Sequence, residues 1–248
     1  MSVRQALAMT ISPLVIRLVL GATFLWAGLG KLNAYDTVVG EDAALLANVG
    51  ALGGPKAAAA PDAPAGPQPD ATSTRLINSA EDFKTPVSAR RLHTEVTLRL
   101  LRASKPVAPM GDASATPRTL WPAWLSGSRA AQLAWIVAVT DLGAGICILL
   151  GLLTRLWSLA LVGHIAVGIW LMVIGPAWAS GEGVLGFLPR HDPWDLTYWM
   201  SPLWQLALLS MAVALACLGP GAFSLDRPLL GAPTPTGPGA PPRVGRPL

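Results

Sequence analysis

The sequence predicts an all-α membrane protein, a four-transmembrane-helix bundle with a long, partly disordered outer insertion. Three observations carry this reading. Only 13% of the 248 residues are charged and mean hydropathy is +0.48, whereas soluble domains carry roughly a quarter charged residues. Four apolar stretches are each long enough to approach the ~20 residues that span a bilayer. Between the first and second of them, residues 33–131 turn polar and rich in Ala, Pro and Gly.

The first span is placed at residues 6–32, with Ala6–Leu29 apolar except for Arg17. Arg4 precedes it as in a secretory signal, but the run exceeds the 7–15 residues typical of a signal core, and Trp26-Ala-Gly-Leu-Gly-Lys31 offers no small-x-small cleavage site. Spans two to four fall within residues 132–219. Leu133–Leu153 contains Asp141, Leu156–Ile174 contains His164, and Leu203–Leu218 is broken only by Gln205 and Ser210. Thr154 and Arg155 alone separate spans two and three, which predicts a tight antiparallel hairpin. Gly175-Pro176 and Gly219-Pro220 are expected to stop spans three and four, because proline cannot continue the hydrogen-bond ladder.

With four spans, Arg4, Arg155, Arg227, Arg243 and Arg246 share one side, against Arg190 in the short loop between spans three and four. The insertion is too long to vote, so the positive-inside rule places both termini in the cytoplasm. Nine of the 10 Trp fall near the opposite boundary in this scheme, all but Trp157, as an interfacial aromatic collar would.

Within the insertion, Gly50–Thr74 has too few large side chains to bury a core and reads as disordered. Thr85-Pro86 opens a helical pattern, giving a basic amphipathic helix near residues 86–102. Val87, Leu92, Val96, Leu100 and Leu101 share one face, with Arg90, Arg91, Arg99 and Arg102 on the other. Two placements stay open, along anionic headgroups or packed on the outer loops. Residues 220–248 read as a flexible cytoplasmic tail, Pro- and Gly-rich beyond Leu230.

The net charge of +4 does not indicate a nucleic-acid partner, since the basic residues form no stripe interleaved with aromatics. The two cysteines, Cys147 and Cys217, lie inside apolar runs and form no CxxC pair, so they read as packing residues. His191, Asp192 and Asp195 form a weak metal signal. Asp192-Pro193-Trp194-Asp195 reads better as an N-cap, an N1 proline and an N3 acid opening a short helix, so no metal is expected.

The first span reads Ile16-Arg17-Leu18-Val19-Leu20-Gly21-Ala22-Thr23-Phe24-Leu25-Trp26-Ala27-Gly28-Leu29-Gly30-Lys31-Leu32. This resembles the opening signature of the DoxX family. Leu150-Gly151-Leu152-Leu153-Thr154-Arg155 resembles that family's second-span exit, and Gly219-Pro220-Gly221-Ala222-Phe223-Ser224-Leu225-Asp226 its C-terminal close. The resemblance implies a multi-pass protein of the bacterial inner membrane linked to redox or sulfur metabolism. Relatives include a subunit of a thiosulfate:quinone oxidoreductase and a partner in oxidant-detoxifying membrane complexes. The chain departs from the pattern in its long first outer loop and in carrying Asp141 where Glu is expected.

Three ionisable residues inside spans are candidate site residues by virtue of their cost in hydrocarbon: Arg17, Asp141 and His164. Depth along the hairpin makes Asp141 and His164 neighbours. Arg17 has two placements, one deep enough to neutralise Asp141 and one near the inner headgroups if a helix starts at Ser12-Pro13. The alternatives are a buried polar cluster fixing helix register or a proton-accepting site formed by Asp141 and His164 beside a quinone headgroup. No nucleotide loop, haem-ligand pair, iron–sulfur cysteine set or nucleophile elbow appears, which leaves quinone as the cofactor to consider. Function reads as an accessory or anchor subunit of a redox assembly with a soluble or membrane redox partner. The alternatives are a quinone-reducing enzyme in its own right and a small-solute transport element.

Overall fold

The computed structural model describes residues 3–52, 78–107, 109, 116–181, 183–221 and 223–226, with side chains from residue 11 onward. The disorder expected over Gly50–Thr74 therefore falls almost wholly outside the described residues. So do the tail beyond Asp226 and its Arg227, Arg243 and Arg246.

Four helices are long and apolar enough to cross a membrane, over Ile11–Asn33, Ser128–Leu150, Thr154–Ser180 and Leu196–Leu218. The first belongs to α1 (Val3–Asn33), which runs through Pro13 rather than starting there. A membrane helix tolerates an internal proline where neighbouring helices, side chains or local backbone adjustment re-satisfy the freed backbone groups. Helix α4 (Ser128–Leu150) ends at Gly151, whose φ of +71° makes the left-handed close that glycine permits.

Helix α5 (Thr154–Ile169) follows after Leu153 and does not stop at Gly175-Pro176 as expected. A π-helical turn at Trp170–Ile174 carries it into α6 (Gly175–Ser180), with the Gly175 N–H donating to the Trp170 carbonyl. The wider turn makes room for the proline ring that would otherwise meet the preceding turn. Helix α7 (Leu196–Leu218) begins seven residues before the expected fourth span, and Gly219 ends it. Its N-cap is Asp195, whose carboxylate accepts from the Thr197 and Tyr198 N–H groups. The separate short helix capped by Asp192 is not formed. Asp192 instead accepts from the Trp194 N–H in a local turn.

The helices pack as two close pairs, α1 on α4 and α5 on α7, with a shared core of Leu20, Phe24, Ala144, Ile148, Leu161 and Leu215. Small residues set the first pair. A Cβ on Gly28 would lie 2.6 Å from the Leu142 backbone nitrogen, and one on Gly145 would collide with the Leu25 backbone. Such close backbone approach is how membrane helices gain packing when lipid supplies no hydrophobic drive. Leu156, Leu159, Ile136 and Leu206 remain exposed on the outside of the bundle, as lipid-facing residues should.

The insertion is not a membrane-surface helix over 86–102. Val87–Arg90 forms strand β2, paired antiparallel with β1 (Tyr35–Val38), and helical structure begins only at Arg91. A π-helical turn at His93–Thr97 leads into α3 (Leu98–Ala103). Leu98 packs on Val38, Leu46 and Phe83 beside α2 (Gly40–Asn48), while Leu92 is buried against Ala134 and Ala138 of α4. The arginines meet protein carboxylates, with Arg91 on Asp36 at 3.2 Å and Arg102 on Asp42 at 2.6 Å. Of the two placements, the packed one is formed. The strand eluded the helical periodicity because its partner lies 50 residues upstream and the pairing is only four residues long.

Candidate functional site

Arg17 lies apart from the other two candidates. The residue is 2% exposed, and its guanidinium donates to four main-chain carbonyls, at Ile148 and Leu149 in the last turn of α4 and at Pro220 and Phe223 beyond α7. Asp226 closes the same assembly by accepting from the Leu153 and Thr154 N–H groups, where a carboxylate also complements the N-terminal dipole of α5. The three sequence segments that carried the family resemblance thus meet at one place. Arginine suits the position because helix ends leave carbonyls without intrahelical partners, and its rigid fork can reach several at once.

Asp141 and His164 do meet. Asp141 lies nine residues from the end of α4 and His164 ten from the start of α5, or ~14 and ~15 Å from the turn. The His164 Nε2 is 3.4 Å from the Asp141 Oδ1. Asp141 is fully buried, and its cationic partner is Lys31 rather than Arg17, with the Lys31 Nζ donating to Oδ2 at 2.9 Å. The Oδ1 atom has no hydrogen-bond partner, since the 3.4 Å approach of His164 lacks hydrogen-bond geometry.

Sequence reasoning missed Lys31 because it sits two residues from the end of α1 and read as a boundary charge. Helix α4 continues past that end, and β2 with Leu92 and Val96 packs beside Leu32, so Lys31 is largely covered by protein. The signal was present: Lys31 closes the opening signature, where a boundary lysine needs no fixed position.

Above the cluster lies a cavity of about 270 Å³. Lys31 and His164 line one end, and Phe24, Leu133, Val137, Ile165 and Leu171 supply apolar walls. The insertion contributes Glu95, Val96, Arg99 and Leu100, and Trp121 and Gln205 complete the polar lining. His164 on α5 and Met172 in the π-helical turn that continues it are about two helical turns apart, so the cavity is elongated along that span. Arg99 and Gln205 both donate to the Met172 Sδ at 3.3 Å. The Trp121 Nε1 and the Gln205 Oε1 are buried without a hydrogen-bond partner. Trp121 is therefore a cavity residue rather than a collar residue. Trp26 also leaves the collar. It is level with Leu142–Gly145, ~10 Å from the inner end of α4.

The residues of the weak metal signal are otherwise engaged. Asp195 caps α7, and the His191 ring stacks on Tyr198 with centroids 3.5 Å apart.

In comparisons with known proteins, the DoxX family model matches residues 109–173. That stretch contains Asp141, His164, Trp121 and Met172, while Arg17, Lys31 and Gln205 lie outside it. No curated protein and no solved structure showed significant similarity to the chain.

Proposed function

We propose that this DoxX-family membrane protein is an accessory or anchor subunit of a redox assembly, and that its cavity admits a quinone from the bilayer. It would lie in the bacterial inner membrane with both termini cytoplasmic, an orientation supported by Arg155 at the α4–α5 turn and Arg4 on the same side.

The observation that carries the reading is the buried Lys31–Asp141–His164 cluster at one end of an apolar-walled cavity. Apolar walls with a few convergent polar groups are what a small lipophilic ligand needs. A quinone, when bound, supplies two-electron chemistry that consumes or releases protons. Lys31 and His164 reach the cavity, so they are the groups that would hydrogen-bond its oxygens and exchange those protons. Asp141 is a positioning residue, holding the Lys31 ammonium and facing His164 from behind. The surrounding Phe24 and Ile165 exclude water, which strengthens each of these interactions.

The chain offers no cofactor-binding motif of its own, so electrons would come from a partner. Purification in mild detergent should bring down a soluble or membrane redox protein. In that assembly, Asp141→Asn, which keeps an oxygen for Lys31 to donate to, should lower quinone-linked turnover by far more than any fall in the amount of assembled chain explains. Unchanged turnover would remove the cluster from the mechanism.

A further inference from the structure

The seam between α4 and α5 is filled at one end and empty at the other. Toward the turn, the Trp157 ring occupies it, 3.2 Å from where a Cβ on Gly143 would stand. Gly168 lies eleven residues beyond Trp157, three turns along and so on the same face of α5. A Cβ on Gly168 would meet nothing within 4 Å, yet Gly168 lines the cavity. Val167 also lines it and is 43% exposed, on the side of α5 turned away from the buried Leu161 and Ile165. Leu133 and Val137 face them from α4. Elsewhere the cavity is enclosed. Helix α1 meets α4 at backbone distance, α5 packs on α7 through Leu161 and Leu208, and Val96 and Leu100 of the insertion pack over the top. The lining residues that α1 and α7 contribute are buried or half-buried.

We infer that the α4–α5 seam at Gly168 is a lateral opening to the bilayer, and that a bound ligand keeps its ring in the cavity while its hydrocarbon tail passes over Gly168 into lipid. This inference rests on the proposal that the cavity takes a quinone-class ligand, and adds which part of that ligand the cavity holds and where the rest goes. Gly168 is one turn, about 6 Å, from His164, so a ring held by Lys31 and His164 has its substituents at the opening. The opening lies about 21 Å along α5 from the turn, within the roughly 30 Å of hydrocarbon, and therefore faces acyl chains. The cavity volume of about 270 Å³ is at the small end for sites that enclose a whole ligand, which leaves a long tail outside. Glycine inside a helix is destabilising relative to alanine. Gly28 and Gly145 offset that with close helix contact, whereas Gly168 makes none and instead leaves the slot clear.

The test measures dissociation constants on the folded full chain in lipid nanodiscs. The probes are a 1,4-benzoquinone with a decyl tail and the same ring with a methyl group in place of the tail. Each variant is compared with the wild type for one probe at a time, so the probes' unequal partitioning into lipid cancels. Gly168→Leu puts a side chain in the slot at a position where the helix itself favours it, and Val167→Trp covers the slot from the lipid side. Both should weaken the decyl quinone roughly tenfold or more and the methyl quinone by less than about threefold, as expected when only the tail's seat is overpacked. Ala166→Trp, exposed on the flank of α5 outside the cavity, should alter neither. Equal weakening of the two probes, an unchanged decyl affinity in either slot variant, or as large an effect in Ala166→Trp would overturn the opening while leaving a quinone-class cavity standing. If neither probe binds the wild type, the proposed function fails and the inference with it.

Discussion

Arg17 and Lys31 are cations on the same face of one helix, 14 residues apart, and they mark two differently built halves of the bundle. At the turn end, Arg17 is saturated by four main-chain carbonyls and backed by the dry packing of Leu20, Ile148, Leu161 and Leu215. At the insertion end, Lys31 has one carboxylate, a histidine nearby and a cavity. The first half spends its charged groups on itself and leaves only the Thr154 and Ser224 hydroxyls unpaired among its described residues. The second leaves an Asp141 oxygen, a Trp121 donor and a Gln205 acceptor unsatisfied. Native structures leave few buried polar groups unpaired, and those that remain tend to mark function or an unseen partner. Only the insertion end sets its polar residues beside the cavity, and that separates a structural lock from a candidate binding site without appeal to similarity.

The largest effect is expected at the lock. Arg17→Leu strands carbonyls from two separated chain segments and should cost on the order of 3–5 kcal/mol, as breaking a buried charged network does. Arg17→Lys should recover little, since an ammonium lacks the planar fork that reaches several acceptors. Detergent denaturation curves of the two variants would measure this. A stable Arg17→Leu protein would break the comparison, because the turn end would then owe its order to packing alone.

Next in size is the α1–α4 contact that both halves share. Gly28→Leu must push α1 away from the Leu142 backbone, and overpacking of this kind costs ~1–3 kcal/mol. Because Gly28 is one turn from Lys31, the same variant should also separate Lys31 from Asp141 and weaken ligand binding beyond what its lowered Tm explains. Wild-type affinity in a destabilised Gly28→Leu would show that the cluster does not depend on close helix approach.

A third experiment distinguishes stability from function at the insertion end. Asp141→Leu alone leaves the Lys31 ammonium under protein without a counter-charge and should destabilise. Asp141→Leu with Lys31→Met removes both charges and should restore most of the loss, since a buried ion pair can often be replaced by apolar residues at little cost. Turnover should stay absent in the double variant. Restored stability with absent turnover assigns the pair to function, whereas a double variant as unstable as the single one assigns it to fold specification.

These two halves were unequally legible in the sequence. The four spans followed from hydropathy because lipid forces the backbone to pair within each helix. Asp141 and His164 could be matched by depth because a tight turn fixes the register of α4 against α5, although the turn is Gly151-Leu152-Leu153 and the expected Thr154-Arg155 pair opens α5. Lys31 escaped because depth counted from a helix end says nothing about what covers that end. Gln205 and Trp121 escaped for a related reason: each is an ordinary interfacial residue until an insertion folds over it. The insertion was the least legible part. Its β1–β2 pairing and its ion pairs to Asp36 and Asp42 join segments some 50–60 residues apart, and local periodicity carries no information about such partners.

The smallest effect expected is one of pH, and it applies to the insertion alone. The Asp36 carboxyl is held below the ordinary carboxylate range, first by the hydrogen bond from the Thr94 hydroxyl at 2.7 Å and then by Arg91. A carboxyl lowered on folding adds stability that is full above its unfolded value and is lost as pH falls through its folded value. Acid below about pH 4 should therefore loosen β1 and the Arg91–Thr97 stretch first. Asp36 is partly exposed, so solvent screening keeps the effect modest. Arg17 is held by carbonyls, which do not titrate, so its own acceptors remain in place. Amide exchange followed from pH 7 downward should show protection falling at Thr37 and Val38 while Leu20 and Ile148 stay protected. Asp36→Asn should be less protected at pH 7 and show little further loss in acid. A uniform loss of protection across both ends would mean that the insertion and the bundle unfold as one unit, and that the division drawn from Arg17 and Lys31 has no counterpart in local stability.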